Sequence, residues 1–130
     1  MKISAKIFLE DNHSYVLGPG RLALLKATGE LGSLHKAAQA MGMSYRWAWG
    51  RIRDSEKALG VPLLTQEGDG GRGKPKVLSA EALELLDWYA ELELLIDGAL
   101  AVGADRRPEF LKLGAQAAPA RADKRKTTLD

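Results

Sequence analysis

A chain of 130 residues with 45% hydrophobic and 28% charged residues has the size and composition of one globular domain with a modest core. It contains no cysteine, which excludes disulfides, thiolate nucleophiles and sulfur ligands to metals. The two histidines, His13 and His35, have no neighbouring set of ligands. We therefore expect no enzyme activity, no metal site and no cofactor.

The distribution of charge is more informative than the formal net charge of +2. Residues 44–76 hold seven basic and four acidic residues, whereas residues 80–98 hold six acidic residues and no basic one. A nucleic acid responds to the local charge, so we expect its contact surface in the middle of the chain. No run approaches the roughly 18 to 20 apolar residues of a membrane helix, and residues 1–6 contain no signal-peptide core, which predicts a cytoplasmic protein without a membrane partner.

The first predicted elements are a β-hairpin and a short helix. Residues 2–10 carry β-branched and aromatic residues in loose alternation, and the turn-forming residues 11–14 precede a second strand over residues 15–17. Residues 21–28 then have the apolar spacing of a helix, which Gly29 can end.

Two further helices follow, each with a serine that can act as its N-cap. Ser33 precedes a helix predicted over residues 34–41, and Ser44 precedes one predicted over residues 45–59. The residues at the spacing of one helix face are Leu34, Ala37, Ala38 and Met41 in the first helix and Ala48, Ile52 and Leu59 in the second.

The spacing of three small residues between these helices is typical of a helix-turn-helix. Ala38 permits close approach of the next helix, Gly42 tolerates the tight turn, and Ala48 packs back against the first helix. Alone, the three residues are weak evidence in an alanine-rich chain. Together with the cap at Ser44 and a basic following helix, they predict a DNA-binding unit.

A glycine-rich hairpin is expected after the third helix. Residues 61–65 and 76–78 are predicted as strands, and the loop over residues 66–74 contains four glycines. We interpret residues 66–76 as the wing of a winged helix. The glycines are not followed by the lysine and helix of a P-loop, so nucleotide binding is not expected.

A long acidic helix is predicted next, capped by Ser79 and running from Ala80 to about Ala101. Its apolar surface is broader than one small core requires, so we expect it to pair with a second copy across a two-fold axis; the alternative is a helix that only closes the monomer core. The residues proposed for the dimer interface are Leu85, Trp88, Tyr89, Leu92, Leu95 and Ile96.

The predicted fold class is α+β, mainly α: a winged helix-turn-helix with an N-terminal β-hairpin and a long C-terminal dimerisation helix. We expect one DNA-binding domain over residues 1–102, with the dimerisation helix over residues 80–101. Residues 103–130 are expected to form a disordered tail, since residues 115–130 are rich in Ala, Pro, Lys, Arg and Thr.

The third helix carries most of the candidate DNA contacts. Arg46 lies near its start, where a guanidinium can contact guanine in the major groove with about 1 to 3 kcal/mol of discrimination. Ser44 and Tyr45 can donate to phosphate or bases, or only cap and pack. Arg51 and Arg53 can hold phosphates, although Arg53 can also pair with nearby acids.

Trp47, Trp49 and Gly50 have alternative explanations. Trp47 contacts a thymine methyl or a sugar, or it covers the helix pair, whereas Trp49 is expected in the core. Gly50 costs the helix roughly 1 kcal/mol relative to alanine, which indicates close approach to DNA or to another helix. The wing contacts phosphate or the minor groove, or is only a solvated hairpin. Its basic residues are Arg72, Lys74 and Lys76.

The motifs of the second and third predicted helices and of the wing resemble those of a known group of regulators. Residues 32–38, Gly-Ser-Leu-His-Lys-Ala-Ala, and 41–49, Met-Gly-Met-Ser-Tyr-Arg-Trp-Ala-Trp, resemble the N-terminal domain of ModE-type molybdate-responsive regulators. Residues 51–64 also resemble the related LysR-type winged helix. The strands before the first helix, the Ser-Tyr-Arg opening at residues 44–46 and the glycine-rich wing favour the ModE type. The resemblance covers roughly residues 2–100.

The resemblance implies a homodimeric transcription factor that binds double-stranded DNA at a pseudo-palindromic operator. We expect the recognition helix, residues 45–59, in the major groove and the wing on adjacent backbone. The residues after Leu100 leave no room for the oxyanion-sensing domains of ModE, so an effector-sensing partner is left open. The alternative function is a protein-interaction adaptor built on a winged helix.

Overall fold

The computed structural model describes residues 1–67 and 74–114, which fall into two units. One unit is Ile7–Leu86, and the other combines Met1–Lys6 with Asp87–Asp130. The elements in chain order are β1 Leu9–Asp11, β2 Ser14–Leu17, α1 Pro19–Leu31, α2 Leu34–Ala40, α3 Tyr45–Leu59, β3 Leu64–Gln66, β4 Lys76–Leu78 and α4 Ala80–Asp105. This order confirms the predicted winged helix-turn-helix, mainly α, with an N-terminal hairpin.

The N-terminal hairpin is shorter than predicted. β1 and β2 pair antiparallel around Asn12 and His13, which adopt the left-handed φ values of 49° and 67° that a tight hairpin turn requires. The prediction of a strand over residues 2–10 is wrong for residues 2–8. A strand needs a partner, and β2 offers only four residues before Pro19 begins α1.

Helix α1 extends past the predicted stop at Gly29. It ends at Leu31, and Gly32 caps it with φ 95° while its N–H donates to the Thr28 carbonyl. A Cβ atom at Gly29 would lie 2.9 Å from Leu78 Cδ1. Gly29 therefore allows close packing of α1 against β4, and it does not end the helix.

The two central helices have the predicted caps. The Ser33 hydroxyl accepts a hydrogen bond from Lys36 N, and the Ser44 hydroxyl accepts one from Trp47 N, each at 3.1 Å. Gly42 lies in the turn between them with φ 70°. Because Ala38 and Ala48 are buried almost completely, α2 and α3 can approach closely, as the small-residue spacing predicted.

Met41 does not join the buried face of α2. The prediction placed it in the helix, but α2 ends at Ala40, and Met41 is its C-cap with a non-helical backbone. The side chain is 38% exposed. The early end of α2 removes the helical geometry on which the predicted packing depended.

The wing strands β3 and β4 pair antiparallel, with Leu64 opposite Leu78 and Gln66 opposite Lys76. The first strand begins three residues later than predicted, and the glycine-rich stretch 68–73 lies outside the described residues. The core of this unit draws on the hairpin, the three helices and the start of the wing. Its largest fully buried apolar side chains are Leu17, Leu24, Leu25, Leu34, Ile52 and Leu63.

Helix α4 begins at the predicted cap, where the Ser79 hydroxyl accepts from Ala82 N, and it continues four residues past the predicted end. Trp88 and Leu95 are 46% and 72% exposed, whereas Tyr89 is 6% exposed and its ring is already covered within the chain.

In the described part of the chain, residues 1–67 and 74–114, no helix is both long enough and apolar enough to cross a bilayer.

The described chain continues past α4 as turns over residues 106–114. Arg107 closes the end of α4, because its Nη1 donates to the Ala104 carbonyl at 2.8 Å and its Nε to the Leu111 carbonyl at 3.0 Å. The predicted tail over residues 103–130 is therefore wrong at its start, since α4 ends at Asp105. Its remainder, residues 115–130, lies outside the described part.

Candidate nucleic-acid interface

Helix α3 has one buried face and one basic outward face. Ala48, Ile52 and Ser55 form its buried stripe. The opposite side carries Arg46, Gly50, Arg53 and Lys57, at intervals of four, three and four residues, which is the spacing of one helix face. We call these four residues the outer stripe; it presents three cations and a central glycine to solvent.

Arg46 is the cation of the outer stripe nearest the start of α3. Its side chain is exposed and forms no hydrogen bond or ion pair with the described residues. The Ser44 cap fixes the backbone of the first turn from which it projects. Arg46 is therefore available to a ligand without first breaking an internal contact.

Arg51 and Arg53 each contact a tryptophan and an acid on α3. Arg51 lies 4.4 Å from the centre of the Trp47 ring and 3.2 Å from Asp54. Arg53 lies 5.3 Å from the Trp49 ring centre and 3.4 Å from Glu56, so the alternative of pairing with a nearby acid is confirmed for Arg53. The Arg51–Asp54 pair is exposed and contributes about 0 to 1 kcal/mol, which a phosphate can replace.

The two tryptophans of α3 are both exposed, Trp47 by 56% and Trp49 by 39%. The prediction that Trp49 lies in the core is wrong. Its position is one step round the helix from the buried stripe, where an open groove and not another helix faces it. Each indole ring thus exposes an edge or a face to solvent, and an arginine contacts one side of each ring.

Gly50 occupies open space. A Cβ atom built there would find nothing within 4 Å among the described residues. Gly50 is therefore not needed for contact with another helix among the described residues. The open space leaves room for close approach of the α3 backbone to a ligand.

Tyr45 and His35 connect α3 to α2 by stacking. Their ring centres are 4.8 Å apart and their planes differ by 26°. Tyr45 is half-buried and His35 is exposed. Tyr45 therefore packs against His35, and Ser44 caps α3; further contacts of their hydroxyls do not change these two roles.

Among the described residues there is no cluster of His, Asp or Glu able to hold a metal.

The wing supplies further positive charge beside α3. Lys74 is exposed and Lys76 half-buried, whereas Arg72 lies outside the described residues. An open groove of about 340 Å³ separates the last turns of α3 from β3 and β4. Trp49 and Lys57 are among the lining residues that the sequence did not assign to the site. Lys57 could have been found from its spacing of eleven residues after Arg46, which places both on one helix face.

Glu56 fixes the wing to α3. Its Oε2 accepts hydrogen bonds from Leu63 N at 2.8 Å and Leu64 N at 3.1 Å, and its side chain is only 11% exposed. These two backbone donors precede or begin β3, where no ladder partner satisfies both. A single carboxylate thus sets the distance between the outer stripe and the wing.

A second polar contact ties α3 to the N-terminal hairpin. The buried Ser55 hydroxyl donates to the Val16 carbonyl and accepts from Arg21 Nη1 at 2.9 Å. Arg21 is itself held over the Tyr15 ring at 4.4 Å. Helix α3, which carries the outer stripe, is therefore bonded to the wing on one side and to the N-terminal hairpin on the other. These contacts favour recognition by a preformed surface.

Comparison with known proteins agrees with this geometry. Residues 20–81 match the family described as bacterial regulatory helix-turn-helix protein, lysR family. The chain is 34% identical over 77 residues to the molybdenum-pterin-binding protein MopB of Rhodobacter capsulatus, covering 59% of this chain and 28% of that protein. It is 34% identical over 77 residues to the transcriptional regulator ModE of Haemophilus influenzae, covering 59% of this chain and 30% of that protein.

Among solved structures, the chain is similar to ArgP from Mycobacterium tuberculosis, with 30% identity and a TM-score of 0.46 over 66% of this chain and 30% of that one. The chain spans less than a third of the length of the two curated relatives it matches. These relatives confirm the resemblance to ModE-type and LysR-type regulators. The matched family is regulatory, in agreement with the prediction that the chain is not an enzyme.

Matched residues 20–81 include α1, the capped pair α2 and α3 with the outer stripe, and both wing strands. Over residues 20–81, which carry the outer stripe, the chain is therefore similar to bacterial regulatory helix-turn-helix proteins of the lysR family.

Proposed function

We propose that this protein is a sequence-specific, DNA-binding transcriptional regulator, with α3 in the major groove and the wing on the adjacent backbone. The observation that carries the proposal is the outer stripe: three outward cations around a glycine, on the second helix of a helix-turn-helix. A helix with this charge and a free backbone at its centre fits the width of the major groove.

The residues of α3 divide into two roles in this proposal. Arg46 projects from the first turn and reads base edges, since N-terminal residues of a recognition helix are those that reach the groove floor. Arg51 and Arg53 exchange their acidic partners for phosphates, a contact that positions the protein without reading sequence. Trp47 packs its exposed ring on a thymine methyl or a sugar beside Arg46.

We further propose that the protein acts as a homodimer through α4. The support is the exposure of large apolar side chains along this helix, with Leu95 at 72% and Trp88 at 46%. Leu83 and Val102 are also more than half exposed. Apolar surface of this kind on a helix is typical of an interface, and a two-fold dimer matches a pseudo-palindromic operator.

Selection of bound duplexes from a random pool, followed by titration of the selected duplex and a scrambled one, tests the assignment of Arg46. We expect R46A to weaken binding of the selected duplex by roughly 5-fold to 150-fold, the equivalent of about 1 to 3 kcal/mol. Binding of the scrambled duplex falls much less. An equal loss on both duplexes would show that Arg46 contacts only the backbone.

A matched control is K26Q, which removes one positive charge from an exposed position on α1 outside the interface. It keeps the preference for the selected duplex. If selection returns no enriched sequence although the protein binds DNA, the proposal of sequence-specific binding is wrong.

A further inference from the structure

The groove between α3 and the wing combines an aromatic wall with positive charge. Trp49 and the apolar Val61 and Pro62 line it, and three cations, Arg53, Lys57 and Lys76, stand around it. Its volume of about 340 Å³ lies open to solvent beside the outer stripe. An open groove of this kind accepts a chain that passes through it more readily than it encloses a small ligand.

Glu56, the one carboxylate among the described residues that line the groove, does not cancel this charge towards a ligand. Glu56 already accepts two backbone hydrogen bonds from Leu63 and Leu64 and contacts Arg53. The side chains of Lys57 and Lys76 form no hydrogen bond or ion pair with the residues that the structure describes. The groove therefore keeps two uncommitted ammonium groups, one on the helix and one on β4.

Trp49 provides an apolar surface at the same place. Its indole is 39% exposed, and Arg53 covers it at 5.3 Å from the ring centre. A deoxyribose is apolar on its carbon face and is flanked by two phosphates. A seat for one nucleotide of backbone needs an apolar surface beside cations, and Trp49 lines the groove together with Arg53, Lys57 and Lys76.

From these contacts we infer that the groove seats the sugar–phosphate backbone of one DNA strand, with Lys57 and Lys76 on successive phosphates and Trp49 against the sugar between them. This inference rests on the proposed function. In a duplex, one backbone strand separates the major groove from the neighbouring minor groove. If α3 occupies the major groove and the wing lies beside the minor groove, that DNA strand must pass between α3 and the wing. The groove of the protein lies between these same two elements.

The salt dependence of DNA binding tests the assignment of the lysines. Each phosphate contact contributes about 0.9 to the slope of log K against log salt concentration, so the K57Q/K76Q variant should lower the magnitude of the slope by about 1.8 for each bound protomer. The control K26Q leaves the slope unchanged. An unaltered slope in K57Q/K76Q, with wild-type protein that binds DNA, overturns the inference and leaves the proposed function standing. Absence of wild-type binding overturns the proposed function itself.

The fluorescence of Trp49 gives a second readout that does not depend on charge. In the variant W47F/W88F, Trp49 is the remaining tryptophan of the chain. Addition of a random-sequence duplex at low salt should quench or shift its emission in parallel with binding measured by anisotropy. Binding with unchanged Trp49 emission would contradict a sugar packed on the indole.

Discussion

Replacement of Gly50 by alanine should stabilise the protein and weaken its binding to DNA. Gly50 lies in the interior of α3, where glycine costs about 0.8 to 1 kcal/mol relative to alanine. A Cβ atom at this position meets nothing within 4 Å, so no clash with the described chain offsets the gain. The expected result is an increase of about 1 kcal/mol in the free energy of unfolding, or roughly 4 to 8 °C in Tm for a unit of this size.

The same methyl group lies on the outer stripe between Arg46 and Arg53. If the α3 backbone approaches the floor of the major groove there, the methyl holds the helix away and lengthens the contacts of both arginines. We expect at least a tenfold rise in Kd, which corresponds to about 1.4 kcal/mol. Circular dichroism measures Tm, and fluorescence anisotropy with a labelled duplex measures Kd.

Gly20 provides the matched control for this experiment. It lies in the first turn of α1, and a Cβ atom there also meets nothing within 4 Å. G20A should leave Kd unchanged and should not lower Tm. If G50A raises Tm and binds DNA with the wild-type Kd, close approach of DNA at Gly50 is refuted. If G50A lowers Tm, the argument from helix propensity is wrong.

Three further changes test the frame of the site. E56A removes the acceptor of the Leu63 and Leu64 N–H groups and should cost about 2 to 3 kcal/mol in urea denaturation; an unchanged midpoint would contradict the proposed role of this carboxylate in fixing the wing. S44A removes the cap of α3 and should cost about 0.5 to 2 kcal/mol by the same measurement, whereas a change of nearly zero would show that the cap is dispensable. L95E should convert dimer to monomer in sedimentation equilibrium while changing the folding of Ile7–Leu86 little, and a wild-type protein that is already monomeric would rule out the dimer proposal.

The parts of the fold that local chemistry determines were predicted well from the sequence. Ser33 and Ser44 mark the starts of α2 and α3 because a serine hydroxyl satisfies backbone donors two or three residues ahead, and this needs no tertiary contact. The outer stripe follows from helix periodicity alone, which is why Arg46 could be assigned before the structure was known.

Features that depend on distant partners were predicted poorly. The end of α1 was placed at Gly29 because glycine often ends a helix, but Leu78 on the wing packs there instead. The first strand was predicted too long because its pairing depends on the length of β2, which ends at Leu17 before Pro19 begins α1. Trp49 was placed in the core because large aromatic residues are usually covered, and its exposure depends on the groove formed with β3 and β4.

Titration of a random-sequence duplex at two salt concentrations is the most direct test of the claim that this protein binds DNA. With Arg51, Arg53, Lys57 and Lys76 on phosphates, the affinity should fall by about 150-fold for each bound protomer between about 50 and 200 mM monovalent salt. Absence of binding at the lower concentration, or an affinity that does not change with salt, would contradict the account. The exposed surface of α4 would then favour a protein-interaction adaptor over a regulator that binds DNA.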